Sequence, residues 1–277
     1  MGRQIALLFL ALVALLWSCL VPGTGGRLVQ VRLALQPRAR EGQVLGRSQS
    51  IDPEPWSIEI LEAKLIIGAL YLFPPRPLFS WQALRLLFWL PPKALAHAGD
   101  DNEGGNAILE HLDQVVVDLL DPTPIDLGAR LGESAVVDRA SLWLDHPRGD
   151  LARMGASGPT RGHLAWVHLR AKRGFTCLEI RTGIDIPPTP LRRRVDRIRP
   201  ERPKSLEEGM EVTFYIYPSD WFSEVDFNSL IPSGNKGDQP IQLELNAPSQ
   251  FHNAWQIAMS QPSSYGLELR SPMTSTP

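Results

Sequence analysis

The cleanest alternation in the chain runs from Val29 to Leu35, where Val29, Val31, Leu33 and Leu35 are separated by Gln30, Arg32 and Ala34. A period of two sends successive side chains to opposite faces, so the stretch predicts a half-buried strand. Gln36 to Pro55, with its Pro, Gly, Ser and Arg content, reads as the loop that ends it. Trp56 to Phe73 is the strongest strand signal of the folded body. Trp56, Ile58 and Ile60 alternate with Ser57 and Glu59, and the apolar set then changes parity to Leu61, Ala63 and Leu65 against Glu62 and Lys64. A parity change inside a strand is what a β-bulge produces. The nearly unbroken apolar run Leu65 to Phe73 predicts cover on both faces. Pro74, Pro75 and Pro77 stop it.

Further along, the pattern is weaker. Phe79 to Leu90 fits a helix capped by Ser80, with Trp81, Leu84, Leu87 and Phe88 among its apolar positions, and fits a strand equally well. Ile108 to Val115 reads as a short helix, Val115 to Leu120 as a strand, and Ala135 to Leu144 as another strand turned by Asp145-His146-Pro147. Gly149 to Gly162 reads as a flexible connection. His163 to Arg170 and Phe175 to Ile186 predict an antiparallel pair joined at Lys172-Arg173-Gly174. Met210 to Tyr217 predicts a strand, Trp221 to Leu230 a helix with Ser219 as its cap, and Ile241 to Leu245 a short strand. Ser249 to Met259 predicts a helix with Phe251, Trp255 and Ala258 in one stripe, and Tyr265 to Leu269 a last strand. Roughly eight or nine strands with at most three short helices predict a mainly β chain. The expected architecture is an antiparallel β-sandwich with a few short peripheral helices, one domain over residues 27–270, and a loose tail at 271–277.

Ahead of that body lies a leader. Arg3 supplies a positive charge, Ile5 to Trp17 is uninterrupted apolar sequence, and a small residue precedes Cys19. A short basic region and an apolar core too short to span a membrane comfortably make a secretory signal. Leu16-Trp17-Ser18-Cys19 resembles the bacterial lipobox, with Trp17 in place of the usual small residue. The resemblance implies that residues 1–18 are a signal peptide, that Cys19 is acylated, and that residues 19–26 tether the domain to a membrane through the N-terminal lipid. It places the protein in the cell envelope, at the outer membrane or its periplasmic face, with an envelope protein as a further partner. Two other readings stay open: cleavage near Gly23-Thr24-Gly25, or an uncleaved anchor from Ile5 to Val21. The layout from Trp56 to Leu269 also resembles a group of exported bacterial β proteins, some of them linked to metal handling.

Composition narrows the classes. A hydrophobic content of 43% with 21% charged residues is that of a folded body. A formal net charge of −2 counts against a nucleic-acid binder, which carries basic surface to neutralise phosphates. Two cysteines are too few for a disulfide framework. With Cys19 acylated, Cys177 is a small apolar strand residue; without acylation, a Cys19 to Cys177 bridge is open in an oxidising compartment.

Three groups of residues bear on chemistry. His97, Asp100, Asp101 and Glu103 lie close together among glycines, where several oxygens on a bent backbone suit a hard divalent metal such as calcium. The spacing is not that of an EF-hand, and His111 joined to His97 would suit zinc or copper instead. The same residues also suit a solvated surface loop. Arg192, Arg193, Arg194, Arg197 and Arg199, flanked by prolines, read as an extended exposed loop. Such a loop contacts anionic headgroups at about 1 kcal/mol per basic side chain, or simply links two strands. His163 and His168, five apart on a strand, point to opposite faces and cannot share one metal. Gly-x-Ser-x-Gly, His-Glu-x-x-His, a phosphate-binding glycine loop and Cys-x-x-Cys are all absent. Ser157 in Gly155-Ala156-Ser157-Gly158 lacks the nucleophile-elbow spacing, although a fold can assemble a triad from scattered residues. The expectation is a non-enzymatic envelope lipoprotein whose loops bind a partner or ligand. The alternatives are a periplasmic metal-binding protein and a hydrolase on a sandwich scaffold.

Overall fold

The computed structural model describes residues 27–75, 107–187, 193–232, 240–245 and 249–272. The chain opens with β1 (Leu28–Pro37), β2 (Arg47–Gln49) and the long β3 (Ser57–Phe73). After residues 76–106 come β4 (Leu109–His111), β5 (Val115–Asp118), β6 (Ile125–Glu133) and β7 (Arg139–Leu144), then helix α1 (Gly149–Met154). The hairpin β8 (Ala165–Arg173) and β9 (Thr176–Ile184) leads to β10 (Arg194–Ile198) and β11 (Glu211–Ile216). Two 3-10 turns at Pro218–Phe222 and Phe227–Leu230 precede β12 (Ile241–Glu244), helix α2 (Gln250–Met259) and β13 (Tyr265–Arg270).

The strands form two sheets. The smaller has four strands in the order β13-β11-β1-β6, and the larger has nine, with β10-β7-β3-β8-β9-β12 as its path and β2, β4 and β5 also on β3. The fold is mainly β, as the alternation predicts, and most pairings are antiparallel. Two are parallel, β1 with β11 and β12 with β9.

The inner faces of both sheets meet in one core. Val29, Val31, Leu33 and Leu35 of β1 are all buried, which is the predicted alternation realised. Ile58, Ile60, Ala63, Leu65 and Ile67 of β3 join them from the other sheet. Their alternation survives because β3 shifts register against β8 between Ile60 and Glu62, where the sequence changes parity. A bulge restores the apolar set to the inner face after one residue would have turned it outward. A second shift, between Ile67 and Leu70 against β7, falls inside the unbroken apolar run, where sequence parity is invisible. One end of the sandwich is closed by an aromatic group. Phe222 lies 5.9 Å from Phe251 and 5.6 Å from Trp255, both on α2, and Ser249 caps that helix by accepting from the His252 N–H.

Several expectations need correction. Residues 108–115, expected as a helix, contain β4, whose backbone bonds to Leu70–Leu72 would otherwise be lost from the edge of β3. Trp221 to Leu230 is no helix either. It is two 3-10 turns, and Asp226 interrupts by accepting from the Asn228 and Ser229 N–H groups. Arg194–Ile198, expected within an extended loop, is β10 paired with β7. Gly149 to Gly162 contains α1, and Gln36 to Pro55 contains β2. β6 was not anticipated, since Gly128, Arg130 and Gly132 break its apolar pattern. Phe79 to Leu90 lies outside the described residues.

Leu33 is fully buried at the centre of the smaller sheet, whereas Gln30 on the same strand is exposed. Leu33→Ala should cost about 2–5 kcal/mol in urea unfolding, and Gln30→Ala should stay within about 0.5 kcal/mol. Equal costs would mean that β1 does not face the core as described.

Candidate functional site

Among the described residues no neighbour runs the full length of β3. Along one edge β8 pairs with Ser57–Leu65 and β7 takes over at Ile67–Phe73. Along the other, β5 reaches Ile67 and β4 begins at Leu70. The next layer out breaks at the same level, with β9 ending at Ile184 opposite Ala165 and β10 starting at Arg194 opposite Trp143. A seam therefore crosses the larger sheet beside Ile66–Gly68. There the Ile66 N–H donates to the Leu164 carbonyl at 3.0 Å and the Ile66 carbonyl accepts from the Asp145 N–H at 3.1 Å. Strand ends leave backbone groups without ladder partners, and polar side chains gather to meet them.

Asp145, just past the end of β7, is the hub. It is buried, ion-paired with Arg148, and accepts from Gln114 Nε2 at 3.3 Å and from the His146 N–H at 2.9 Å. Arg193 Nη1 lies 3.8 Å from its other oxygen. Gln114, from the break between β4 and β5, donates to the His146 carbonyl at 2.6 Å and accepts from the Arg148 N–H at 2.9 Å. Gly68 makes this crossing possible. A Cβ there would lie 2.9 Å from Asp145 Oδ2 and 3.1 Å from its Cβ.

Arg193 Nε donates to the Ile186 carbonyl at 2.9 Å. Burial lowers its pKa from the ordinary guanidinium value; Asp185 opposes the shift and Arg148 adds to it. Arginine nevertheless stays charged in a protein.

Asp185, just past β9, ties two histidines together. His163 Nδ1 lies 2.8 Å from Oδ2, His146 Nδ1 lies 3.1 Å from Oδ1, and the Leu164 N–H donates to Oδ1 at 3.1 Å. His146 Nε2 faces the Ile186 carbonyl at 3.0 Å, so each of its ring nitrogens meets an oxygen acceptor. His163 stacks on Trp166 at 6.3 Å and fits only because residue 183 is glycine, where a Cβ would stand 2.1 Å from the imidazole Cδ2. With Nδ1 held by Asp185, the Nε2 of His163 is the atom left to hydrogen-bond a ligand.

Beside the hub opens a cleft of about 460 Å³. Ala69, Tyr71 and Trp143 form its floor on the face turned away from the smaller sheet, Leu112 stands at one side, and Arg148, Arg193 and Asp145 form the other.

The residues singled out from the sequence fare differently. Cys19, His97, Asp100, Asp101, Glu103 and Arg192 lie outside the described residues. His111 is buried on β4, and its Nδ1 faces the Arg130 guanidinium at 3.0 Å from Nη2, with Asp113 pairing that arginine at 3.0 Å. Burial first, then Arg130, lowers its pKa. A guanidinium can only donate, so Nδ1 accepts, and Nε2 has no hydrogen-bond partner among the described residues. Among the described residues no three His, Cys, Asp or Glu side chains are grouped to hold a metal ion. The arginines do not share one exposed loop. Arg193 and Arg194 have mostly buried side chains, with Arg194 Nε 2.5 Å from Asp196, whereas Arg197 and Arg199 are exposed. His168 pairs with Glu179 at 2.7 Å on the outer face of β8 and β9, and Cys177 is half-buried on β9.

Asp145, Arg148, Asp185 and Gln114 were not anticipated. A signal for two of them was present: Asp145-His146-Pro147 and Asp185-Ile186-Pro187 place the same Asp-x-Pro pattern directly after a strand. No family model, curated protein or solved structure matches this chain.

Adding a branched side chain at the crossing should disturb the hub directly. Gly68→Val is expected to destabilise by about 1–3 kcal/mol through overpacking; an unchanged urea midpoint would refute the close approach of Asp145. A second expectation concerns pH. His111 and His252 both have lowered pKa values, with burial the main cause, against an ordinary 6.5. Below about 6.5 the unfolded chain takes up protons that the folded chain refuses. Their contribution to stability is therefore complete above that value and is lost as pH falls through the lowered folded values. Unfolding midpoints at about pH 7.5 and 5.5 should drop for the native chain and drop less for a His111→Gln/His252→Gln double variant. An equal drop would remove these imidazoles as the cause. Glu179 and Glu268, whose pKa values are lowered from 4.5, act below this window.

Proposed function

We propose that the protein is a binding protein of the cell envelope, held to a membrane by acyl chains on Cys19, with the seam cleft as its ligand site. The observation that carries the binding role is the cleft itself, where residues flanking several separate strands bring two guanidinium groups, one buried carboxylate and two aromatic rings to one opening. Concave sites lined by aromatic surface with a few convergent polar groups are where proteins hold small molecules. Building them at strand ends of a rigid sheet fixes their geometry.

The envelope role draws on the leader, with Arg3, the apolar run Ile5 to Trp17 and the lipobox-like Leu16-Trp17-Ser18-Cys19. The folded body starts at Arg27, so residues 19–26 set the reach of the tether, at most about 3.5 Å per residue. Two basic residues stand where that tether would enter. The Arg27 carbonyl accepts from the Ser134 N–H at 2.8 Å and the Lys204 carbonyl from the Val137 N–H at 2.9 Å, so both lie at one end of the sandwich. Arg27 and Lys204 are exposed there, with Glu207 and Glu208 exposed on the same segment, while Arg197, Arg199 and Arg202 are exposed earlier along the chain that leads to Lys204. Among the described residues no helix is long and apolar enough to cross a membrane.

In a bacterial host fed labelled palmitate, the chain should take up label and sediment with membranes, whereas Cys19→Ala should take up none and move to the soluble fraction. Membrane retention of Cys19→Ala at the native level would end the lipid-anchor reading.

A further inference from the structure

We propose that the seam cleft takes an organic carboxylate carried on a flat apolar body such as an aromatic ring. This rests on the reading of the protein as a binding protein and names the class of its ligand.

Charge comes first. Arg148 and Arg193 share one contacting carboxylate, Asp145, while Asp185 also acts on Arg193 through its charge. Asp185, the other carboxylate at the seam, is already engaged by His146, His163 and the Leu164 N–H. Asp145 contacts Arg148 closely but stands 3.8 Å from Arg193, whose side chain is only 14% exposed. A guanidinium that has lost most of its water and lacks a close counter-ion gains strongly from an incoming oxyanion. A carboxylate brings a single negative charge to two arginines already offset by two carboxylates, whereas a phosphate monoester would bring about −1.5 to −2. The planar guanidinium fork also matches the two oxygens of a carboxylate.

Size and lining decide the rest. A cleft of about 460 Å³ is far larger than an inorganic anion requires and falls among sites for small organic molecules. Tyr71 and Trp143 project from β3 and β7 on the outward face, both half-buried, so each presents part of a ring to the opening. Leu112 stands 57% exposed at the side and would be covered by a bound apolar body. A ring stacked on this floor directs its carboxylate toward the arginine wall, and ring pairs add about 0.5–1.5 kcal/mol beyond burial alone. His163 is placed beyond Asp185 and is not required to contact the ligand.

The test is calorimetric titration of the full-length chain in detergent with benzoate, 2-naphthoate and indole-3-acetate, against their amides, acetate and inorganic phosphate. At least one aromatic acid should bind with a dissociation constant below about 1 mM, at least tenfold more tightly than its amide, acetate or phosphate. Arg148→Gln and Trp143→Leu should each weaken it about tenfold at a temperature where thermal unfolding shows each variant fully folded. Arg148 is 65% exposed, so its replacement removes no buried apolar contact and is the milder change beside Arg193→Gln. Absence of binding by every acid at about 1 mM, tighter binding of phosphate, or indifference to both substitutions would overturn the proposal. Acid and amide binding alike would overturn the ligand class while leaving a binding protein. Conversion of a bound acid to product would keep the ligand class and overturn the non-catalytic reading instead.

Discussion

The larger sheet is organised by one requirement, that a strand of 17 residues must find backbone partners along both of its edges. β3 is too long for any single neighbour, so each edge is served by strands in relay: β8 then β7 on one side, and β2, β5 and β4 on the other. Relay implies gaps, and gaps expose unpaired backbone groups. Because the gaps fall at the same level, beside Ile66–Gly68, their polar residues meet one another. The register shift between Ile67 and Leu70 sits at that level, where the sheet changes partners.

At the seam, the polar groups are arranged around two carboxylates with different duties. Asp185 is saturated by two imidazoles and a backbone N–H, and so holds loops in place. Asp145 is shared between two arginines at unequal distances and is crowded by the backbone of Gly68. Burial makes this inequality matter, since an imperfectly paired charge costs far more with little water around it. The two glycines work alike. At Gly68 and Gly183 the missing Cβ is space that Asp145 and His163 occupy. The seam's geometry is thus set by residues just beyond the strand ends, packed against glycines within the strands.

The opposite face of the same sheet has a purely apolar task. Ala140, Leu142 and Leu144 of β7 enter the shared core while Trp143 between them faces the cleft, so a single strand serves both stability and binding through its period of two. The core depends on this alternation across both sheets, with α2 and the turn at Pro218–Phe222 closing it through Phe222, Phe251 and Trp255.

The local elements were legible wherever side-chain alternation is governed by the neighbouring face. β1, the bulge after Ile60, the β8–β9 hairpin, β11 and the capped helix α2 all follow from apolar spacing and turn or cap residues. The mainly β class follows from their sum. β4 and β10 escaped because short strands are fixed by an edge that needs partners, and that need is a property of β3. The site escaped for the same reason. Gln114, Asp145, Arg148, Asp185 and Arg193 are far apart in sequence and carry no shared spacing, apart from the Asp-x-Pro pattern after β7 and β9. By itself the sequence determined which residues turn inward along each strand, because hydrophobic burial acts residue by residue. Only the tertiary structure decided where the strands break, because that depends on how hydrogen bonds are shared along β3, and so only it brought a cleft with two arginines and two aromatic rings into being.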